Sequence, residues 1–364
     1  MIIKNRGAIT NPKGRFEKNQ YEAFDDGWDL AEEEDLPTLE TMLFEEKAKT
    51  IISRNDSPDI GFTQSINPYR GCEHGCIYCY ARPAHSYMNL SAGLDFETKL
   101  FYKPDAAALL EKELNKPKYQ CEPIVLGANT DPYQPIESKL QITRQLLEVL
   151  NKHNHPVAII TKSTMIERDI DILSAMAKRN LVKAAISITT LSSSLKLIME
   201  PRASAPKARL KTVRHLVNAG IPVRVIVAPM IPMINDKELE NILECSKKAG
   251  ALHASYVFIR LPHEVKDLFK EWLKQHFPDR AEHVMSLIRQ MRGGKEYDST
   301  FGSRRRGEGE FANLLEMRFR IACKRFKLNL SPSLELDRIS FFKHERYNNK
   351  QLDMLSENTL SKHL

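Results

Sequence analysis

The chain has 364 residues, 42% hydrophobic and 28% charged, which suits a soluble globular protein of one large domain with extensions, or of two domains. No apolar run approaches the roughly 18 residues of a membrane span, and Met1–Phe16 lacks the apolar core of a secretory signal, so neither is expected. The net charge of +7 is uneven: residues 22–46 carry eleven acids and no base, and residues 290–350 carry fourteen Lys or Arg against eight acids, which suits either a solvated surface or a nucleic-acid partner.

Residues 1–20 are polar and basic and are expected to be mobile. Tyr21–Pro37 is acidic with Phe24, Trp28 and Leu30 interleaved, which fits either a disordered segment or an arm pinned by its aromatics. With Thr38–Ser53, where order begins, they make an N-terminal acidic, mobile arm over 1–55. Asn55–Asp59 is a turn cluster. Gly61–Ile66 reads as a strand leading into Asn67-Pro68-Tyr69-Arg70-Gly71-Cys72-Glu73-His74-Gly75-Cys76-Ile77-Tyr78-Cys79-Tyr80.

Beyond that loop strands and helices alternate. Helix Asp105–Asn115 precedes strand Pro123–Leu126. Helix Ile136–Lys152, with Leu140, Ile142, Leu146, Leu147 and Leu150 on one side, precedes strand Pro156–Ile160. Helix Ile166–Lys178 and strand Val182–Ile188 follow. Helix Pro206–Ala219, closed by Gly220, leads to strand Pro222–Val227. Helix Asp236–Lys248, capped by Asp236, leads to strand Ser255–Ile259. Six such steps predict an α/β fold, a parallel sheet curled by right-handed crossovers into a partial or closed barrel over 56–262. Past Leu261-Pro262 the alternation stops. Val265–His276, Arg280–Met291 and Phe311–Phe326 read as helices around a Gly- and Arg-rich loop at 293–309. They form a helical C-terminal extension over 263–342 that could cover the open end of the barrel, and 343–364 is a polar tail.

Cys72, Cys76 and Cys79 stand in a C-x3-C-x2-C spacing. Thiolates bind soft iron, and three of them can hold three corners of a [4Fe–4S] cluster, leaving the fourth iron open to a non-protein ligand. Gly71 and Gly75 suit a loop that wraps tightly. The competing reading is a zinc loop or incidental thiols; His74, inside the first spacer, is poorly placed as a fourth zinc ligand. Cys121, Cys245 and Cys323 are scattered singly, which is not a disulfide framework, and Cys245 and Cys323 read as core residues. An oxygen-sensitive cluster and free thiols together point to a reducing cytoplasm.

The triad, with the aromatic Tyr78 before its last Cys, resembles the signature of the radical S-adenosylmethionine (SAM) superfamily. The wider run NPYRGCEHGCIYCYARPAHSY resembles the branch related to spore photoproduct lyase, often called "DNA repair photolyase-like". The resemblance covers roughly residues 50–330 and implies a partial (β/α)6 barrel whose open iron binds SAM. An electron from the reduced cluster then yields methionine and a 5′-deoxyadenosyl radical that abstracts hydrogen from a substrate. It also implies an electron donor such as flavodoxin or ferredoxin.

Ligands of parallel βα folds meet the carboxyl ends of the strands. After the second strand stands Gly127-Ala128-Asn129-Thr130-Asp131-Pro132-Tyr133, where the superfamily often has Gly-Gly-Glu to receive the SAM amino group. Thr130 and Asp131 are the acceptors here, against the alternative of a turn that stabilises itself. Thr161, Lys162 and Ser163 follow the third strand. Ser187 is the first choice for a polar SAM contact after the fourth, and Arg202 is the fork for the methionyl carboxylate. Arg224 is read toward the lumen. Arg260 is read either toward substrate or toward an acid of the extension, and Arg70 as packing or as tuning the cluster. Spore photoproduct lyase uses an extra Cys near the end of the second strand; Leu126–Thr130 has none, so that reaction is not carried over. The reading is a radical SAM enzyme with an unknown substrate, nucleic acid being one candidate. The alternative is a non-catalytic iron–sulfur protein for electron transfer or sensing, although an electron carrier normally has four thiolates.

Overall fold

The computed structural model describes residues 6–16, 39–332 and 334–343. The chain opens with strands β1 (Met42–Glu45), β2 (Ile52–Arg54), β3 (Gln64–Ile66) and β4 (Tyr69–Arg70). Helix α1 (Leu94–Thr98) runs into β5 (Lys99–Tyr102), and α2 (Ala106–Leu114) precedes β6 (Ile124–Leu126). Next come α3 (Glu137–Leu140), α4 (Ile142–Lys152), β7 (Val157–Thr161), α5 (Ile170–Ala177) and β8 (Val182–Ser187). They are followed by α6 (Ser193–Met199), α7 (Pro206–Asn218), β9 (Val223–Met230), α8 (Leu239–Lys248) and β10 (His253–Phe258). The extension holds α9 (Val265–His276), α10 (Ala281–Gln290), α11 (Ser303–Arg306) and α12 (Glu310–Arg325).

The main sheet has the order β10-β9-β8-β7-β6-β3-β2. Its six strands from β3 to β10 are parallel and lie in chain order, which is the six-step partial barrel expected from the alternation; β2 pairs antiparallel with β3 at the edge. The barrel is open, because β10 and β2 are both edges. The strands are short apolar runs with helices outside. Ile142, Leu146, Leu147 and Leu150 of α4, three and four residues apart, bury one face of that helix against the sheet side. Each such side chain contributes about 1.5–3 kcal/mol of burial.

A second sheet, β1-β5-β4, was not anticipated. It pairs β1 parallel to β5 and β4 antiparallel to it, and it fixes the entry to the cysteine loop, since β4 ends at Arg70. The single helix expected over Ile136–Lys152 is broken at Gln141, which takes left-handed angles (φ 52°). The Glu137 carboxylate causes this by accepting the Thr143 N–H at 3.1 Å, which restarts the helix as α4. Asp236 makes no capping bond: it opens a 3-10 turn, and α8 begins three residues later.

Residues 6–16 are not the loose basic tail expected of them: Arg6, Gly7 and Ala8 are buried against the cysteine loop. The acidic stretch Tyr21–Pro37 lies outside the described residues. The loop at 293–309 closes the gap between the sheet edges. Arg292 donates to the carbonyls of Ile259 (3.0 Å) and Ser303 (2.7 Å) on the β10 side. Asp59, between β2 and β3, accepts from the Gly302 N–H (2.6 Å) and from Arg304. No helix among the described residues is long and apolar enough to cross a membrane.

Candidate functional site

From β4 the chain turns through Gly71 (φ 78°) and Gly75 (φ 65°), left-handed positions where a Cβ would stand 2.7 Å from Leu100 Cδ2 and from Glu97 Oε2 respectively. Backbone bonds pin the loop: Cys72 N–H to Phe96 O (3.0 Å), Ile77 N–H to Met199 O (3.1 Å) and Cys79 N–H to Cys76 O (3.2 Å). Behind it lies an ion pair, Arg82–Glu97, with both side chains fully buried. Arg82 donates to the Cys76 carbonyl at 2.9 Å, and Glu97 accepts the N–H groups of Gly7 (2.9 Å) and Ala8 (2.8 Å).

Gly7 packs so tightly that a Cβ there would lie 1.8 Å from the Gly75 carbonyl oxygen. Gly7→Ala is therefore expected to cost about 1–3 kcal/mol, as overpacking does. It should also raise amide exchange at Gly75–Ile77. Unfolding in urea at the wild-type midpoint would contradict this seating of the N-terminal segment.

All three cysteines open onto one cavity of about 610 Å³ at the carboxyl ends of the strands. Tyr78, Thr130, Asp131, Lys162, Ser187 and Arg260 line it with them. Cys72 and Cys76 are buried and Cys79 partly so. Burial, with Asp131 nearby, pushes the Cys72 thiol well above its ordinary value. Burial pushes Cys76 up to about 12 against the pull of Lys162. Both are thus protonated at neutral pH until a metal takes the thiolates and releases the protons. The donor set fits an iron–sulfur cluster: three thiols share one cavity wall and leave the rest of the space open. Among the described residues no three His, Cys, Asp or Glu side chains close round a single ion; a cubane instead takes one thiolate per iron.

Two anions flank the thiols. Burial opposes the charge on Asp131, but His74 at 3.4 Å, the Lys162 N–H at 2.8 Å and the Thr161 hydroxyl at 2.7 Å outweigh it and hold the carboxyl down to about 2. Asp131 also accepts the Tyr133 N–H at 2.9 Å, so part of its capacity goes to its own turn. Glu200 is fully buried, and Arg209, Lys162 and the Thr189 hydroxyl overcome that burial and hold its carboxyl down to about 2. It pairs with Arg209 and accepts from the Tyr78 and Thr189 hydroxyls.

The structure thus brings together Cys72, Cys76, Cys79, Tyr78, Thr130, Asp131 and Ser187. Thr130 donates to the Tyr69 carbonyl at 2.9 Å, and Ser187 to the Ala228 carbonyl at 3.3 Å. It does not bring Arg202 to them: that guanidinium binds Glu73 at 2.9 Å and lines a separate outer groove with Leu39 and Thr41. Arg70 is exposed and forks onto Glu46, away from the thiols. Arg224 shares the inward face of β9 with Ile226 but pairs in register with His253 and is not part of the cavity wall. Cys323 is buried, whereas Cys245 is only partly so.

Sequence reasoning missed Glu200, although it is two residues from Arg202. It also missed the role of Lys162, whose place after the third strand was the available signal. Arg82, Glu97 and Gly7 carried no signal, because their contacts join segments up to 91 residues apart.

The radical SAM superfamily profile matches residues 66–245. An uncharacterized protein of Mycobacterium tuberculosis is 32% identical over 230 residues, 63% of this chain and 68% of the relative. An uncharacterized protein of Methanocaldococcus jannaschii is 27% identical over 238 residues, 65% and 85% of the two chains. Among solved structures, spore photoproduct lyase complexed with dinucleoside spore photoproduct superposes with a TM-score of 0.55 at 18% identity, over 78% of this chain and 79% of that one. A lyase variant with bound AdoMet and the same dinucleoside gives 0.54 over the same shares at 18% identity. That likeness is one of fold. By its cysteine triad, its open barrel and the matched segment, the chain belongs to the radical SAM superfamily.

Proposed function

We propose that the chain is an enzyme that holds a [4Fe–4S] cluster on Cys72, Cys76 and Cys79 and uses SAM to abstract hydrogen from a substrate in the same cavity. The observation that carries this is the shared cavity, with three thiols and the polar strand ends on one wall and room beside them. When bound, the cluster and SAM supply a 5′-deoxyadenosyl radical. The chain supplies position and exclusion of water. Asp131 and Thr130 offer acceptors for the SAM amino group, Ser187 a polar contact, and Lys162 a cation for the SAM carboxylate, the role expected of Arg202.

The buried Tyr78 ring lies under the Lys162 ammonium, 5.8 Å from it, and its hydroxyl is tied to Glu200, so the wall between Cys76 and Cys79 is rigid. Among the described residues no cysteine besides the three lines the cavity, so the hydrogen return of spore photoproduct lyase is not proposed here. The physiological setting proposed is a reducing cytoplasm, with a flavodoxin or ferredoxin as electron donor and nucleic acid as one candidate substrate.

The test is anaerobic. Protein reconstituted with iron and sulfide, then reduced in the presence of SAM, is expected to release 5′-deoxyadenosine, read by mass spectrometry. A stable cluster whose EPR signal SAM leaves unchanged, with no 5′-deoxyadenosine, would reject the proposal in favour of an electron carrier or sensor.

A further inference from the structure

Two guanidinium groups line the cavity without a carboxylate partner among the described residues. Arg260 follows β10 and Arg305 sits on α11, and both line the cavity that holds the three thiols. The Arg260 guanidinium stands over the Tyr80 ring, 5.1 Å from its centroid, and among the described residues its one hydrogen-bond partner is the Tyr297 hydroxyl at 3.4 Å. Its Nε is buried and has no hydrogen-bond partner among the described residues. Arg305 donates to the Asp59 carbonyl at 2.6 Å, while Arg304 takes the Asp59 carboxylate. Among the described residues neither Arg260 nor Arg305 forms an ion pair. Both side chains are half-buried, and two neighbouring cations on a cavity wall without a counter-ion favour an anion that enters with a ligand.

The kind of anion follows from the donors. An arginine fork matches two oxygens, and a carboxylate is satisfied by one fork. A phosphate has oxygens enough to meet two. The origin of the two residues points the same way. The segment shared with the superfamily ends at residue 245, before both arginines. The loop that carries Arg305 is held across the barrel opening by Asp59 and Arg292. Arg260 follows the last barrel strand and Arg305 stands in the extension beyond the matched segment, where a chain carries contacts particular to its own substrate.

We propose that the substrate carries a phosphate group and that this group docks between Arg260 and Arg305. The proposal rests on the cavity being the one in which SAM chemistry takes place, and its test does not use that chemistry. Isothermal titration of the full chain with inorganic phosphate, at constant ionic strength, is expected to show binding. Arg260→Gln and Arg305→Gln should each weaken it by about tenfold, the loss of a charge-assisted pair of hydrogen bonds. Arg305→Lys, which keeps the charge and loses the fork, should also weaken it. Melting temperatures close to wild type would show that the variants fold.

In the reconstituted protein the variants should bind SAM within about twofold of wild type, well short of the tenfold loss for phosphate. No phosphate binding by the wild type, or equal binding by wild type and the double variant, overturns the proposal. So does a loss of SAM binding in place of phosphate binding, which would assign the pair to the SAM carboxylate. A chain that binds phosphate through these arginines but yields no 5′-deoxyadenosine would fail the enzymatic reading and leave the anion site standing.

Discussion

Replacing Cys76 with Ala is expected to take 5′-deoxyadenosine formation down to the level seen without reductant, and Cys72→Ala and Cys79→Ala should do the same. The structural cost of each change is small. A thiol removed from a packed wall forfeits about 1 kcal/mol, and the loop is held by backbone bonds from Phe96, Met199 and Arg82 that the substitution leaves in place. The loss should therefore appear in iron and sulfide content and in activity while the melting temperature changes little.

Loading should depend on pH with a definite sign. Burial keeps Cys72 and Cys76 protonated at neutral pH, Cys76 up to about 12. Iron must displace those protons, so retention should strengthen as pH rises from 6 to 9 (roughly). Wild-type product formation by any one of the three variants would remove that cysteine from the ligand set.

The strands were readable because each is a short apolar run between helices with one apolar face, and the strand-end rule then located Cys72–Cys79, Asp131 and Ser187 on one cavity. What the sequence could not show is which way neighbouring side chains turn. Glu200 and Arg202 are two residues apart, yet one is fully buried under Tyr78 and the other lies outside on Glu73. The break at Gln141 escaped notice because the apolar spacing of Leu140 to Leu150 runs through it; only the Glu137 carboxylate, placed in space, shows why the helix restarts. The packing of Gly7 on Gly75 and the closure by Asp59 and Arg304 join segments dozens to hundreds of residues apart, and single-sequence periodicity carries no information about such pairs. The surroundings of Arg260 were equally illegible: among the described residues no acid of the extension pairs with it, and it stands over the Tyr80 ring on the cavity wall.

Glu200→Ala is expected to destabilise the chain by about 3–5 kcal/mol, the cost of leaving a buried charge without its partner. Arg209 is 1% exposed and would keep only the carbonyls of Ser187 (2.9 Å) and Ser204 (2.8 Å). The Tyr78 and Thr189 hydroxyls would lose an acceptor as well. Replacing the pair together, Glu200→Leu with Arg209→Met, should recover most of the loss, because no bare charge remains.

The pH dependence follows from the same pair. The Glu200 carboxyl is held down to about 2, against an ordinary value of 4.5, because Arg209 and Lys162 overcome burial. A depressed carboxyl contributes its stability above the unfolded value, and that contribution is lost as pH falls through the folded one. The gap between wild type and Glu200→Gln should therefore be full at neutral pH and shrink between about 4.5 and about 2. Both proteins carry the same three cysteines and the same Asp131, so acid loss of iron and the titration of Asp131 cancel in the comparison. Urea unfolding at stepped pH would read the gap. A constant gap across that window would mean that Glu200 is not held as the charged partner of Arg209, and that the rigidity of the Tyr78 wall comes from packing alone.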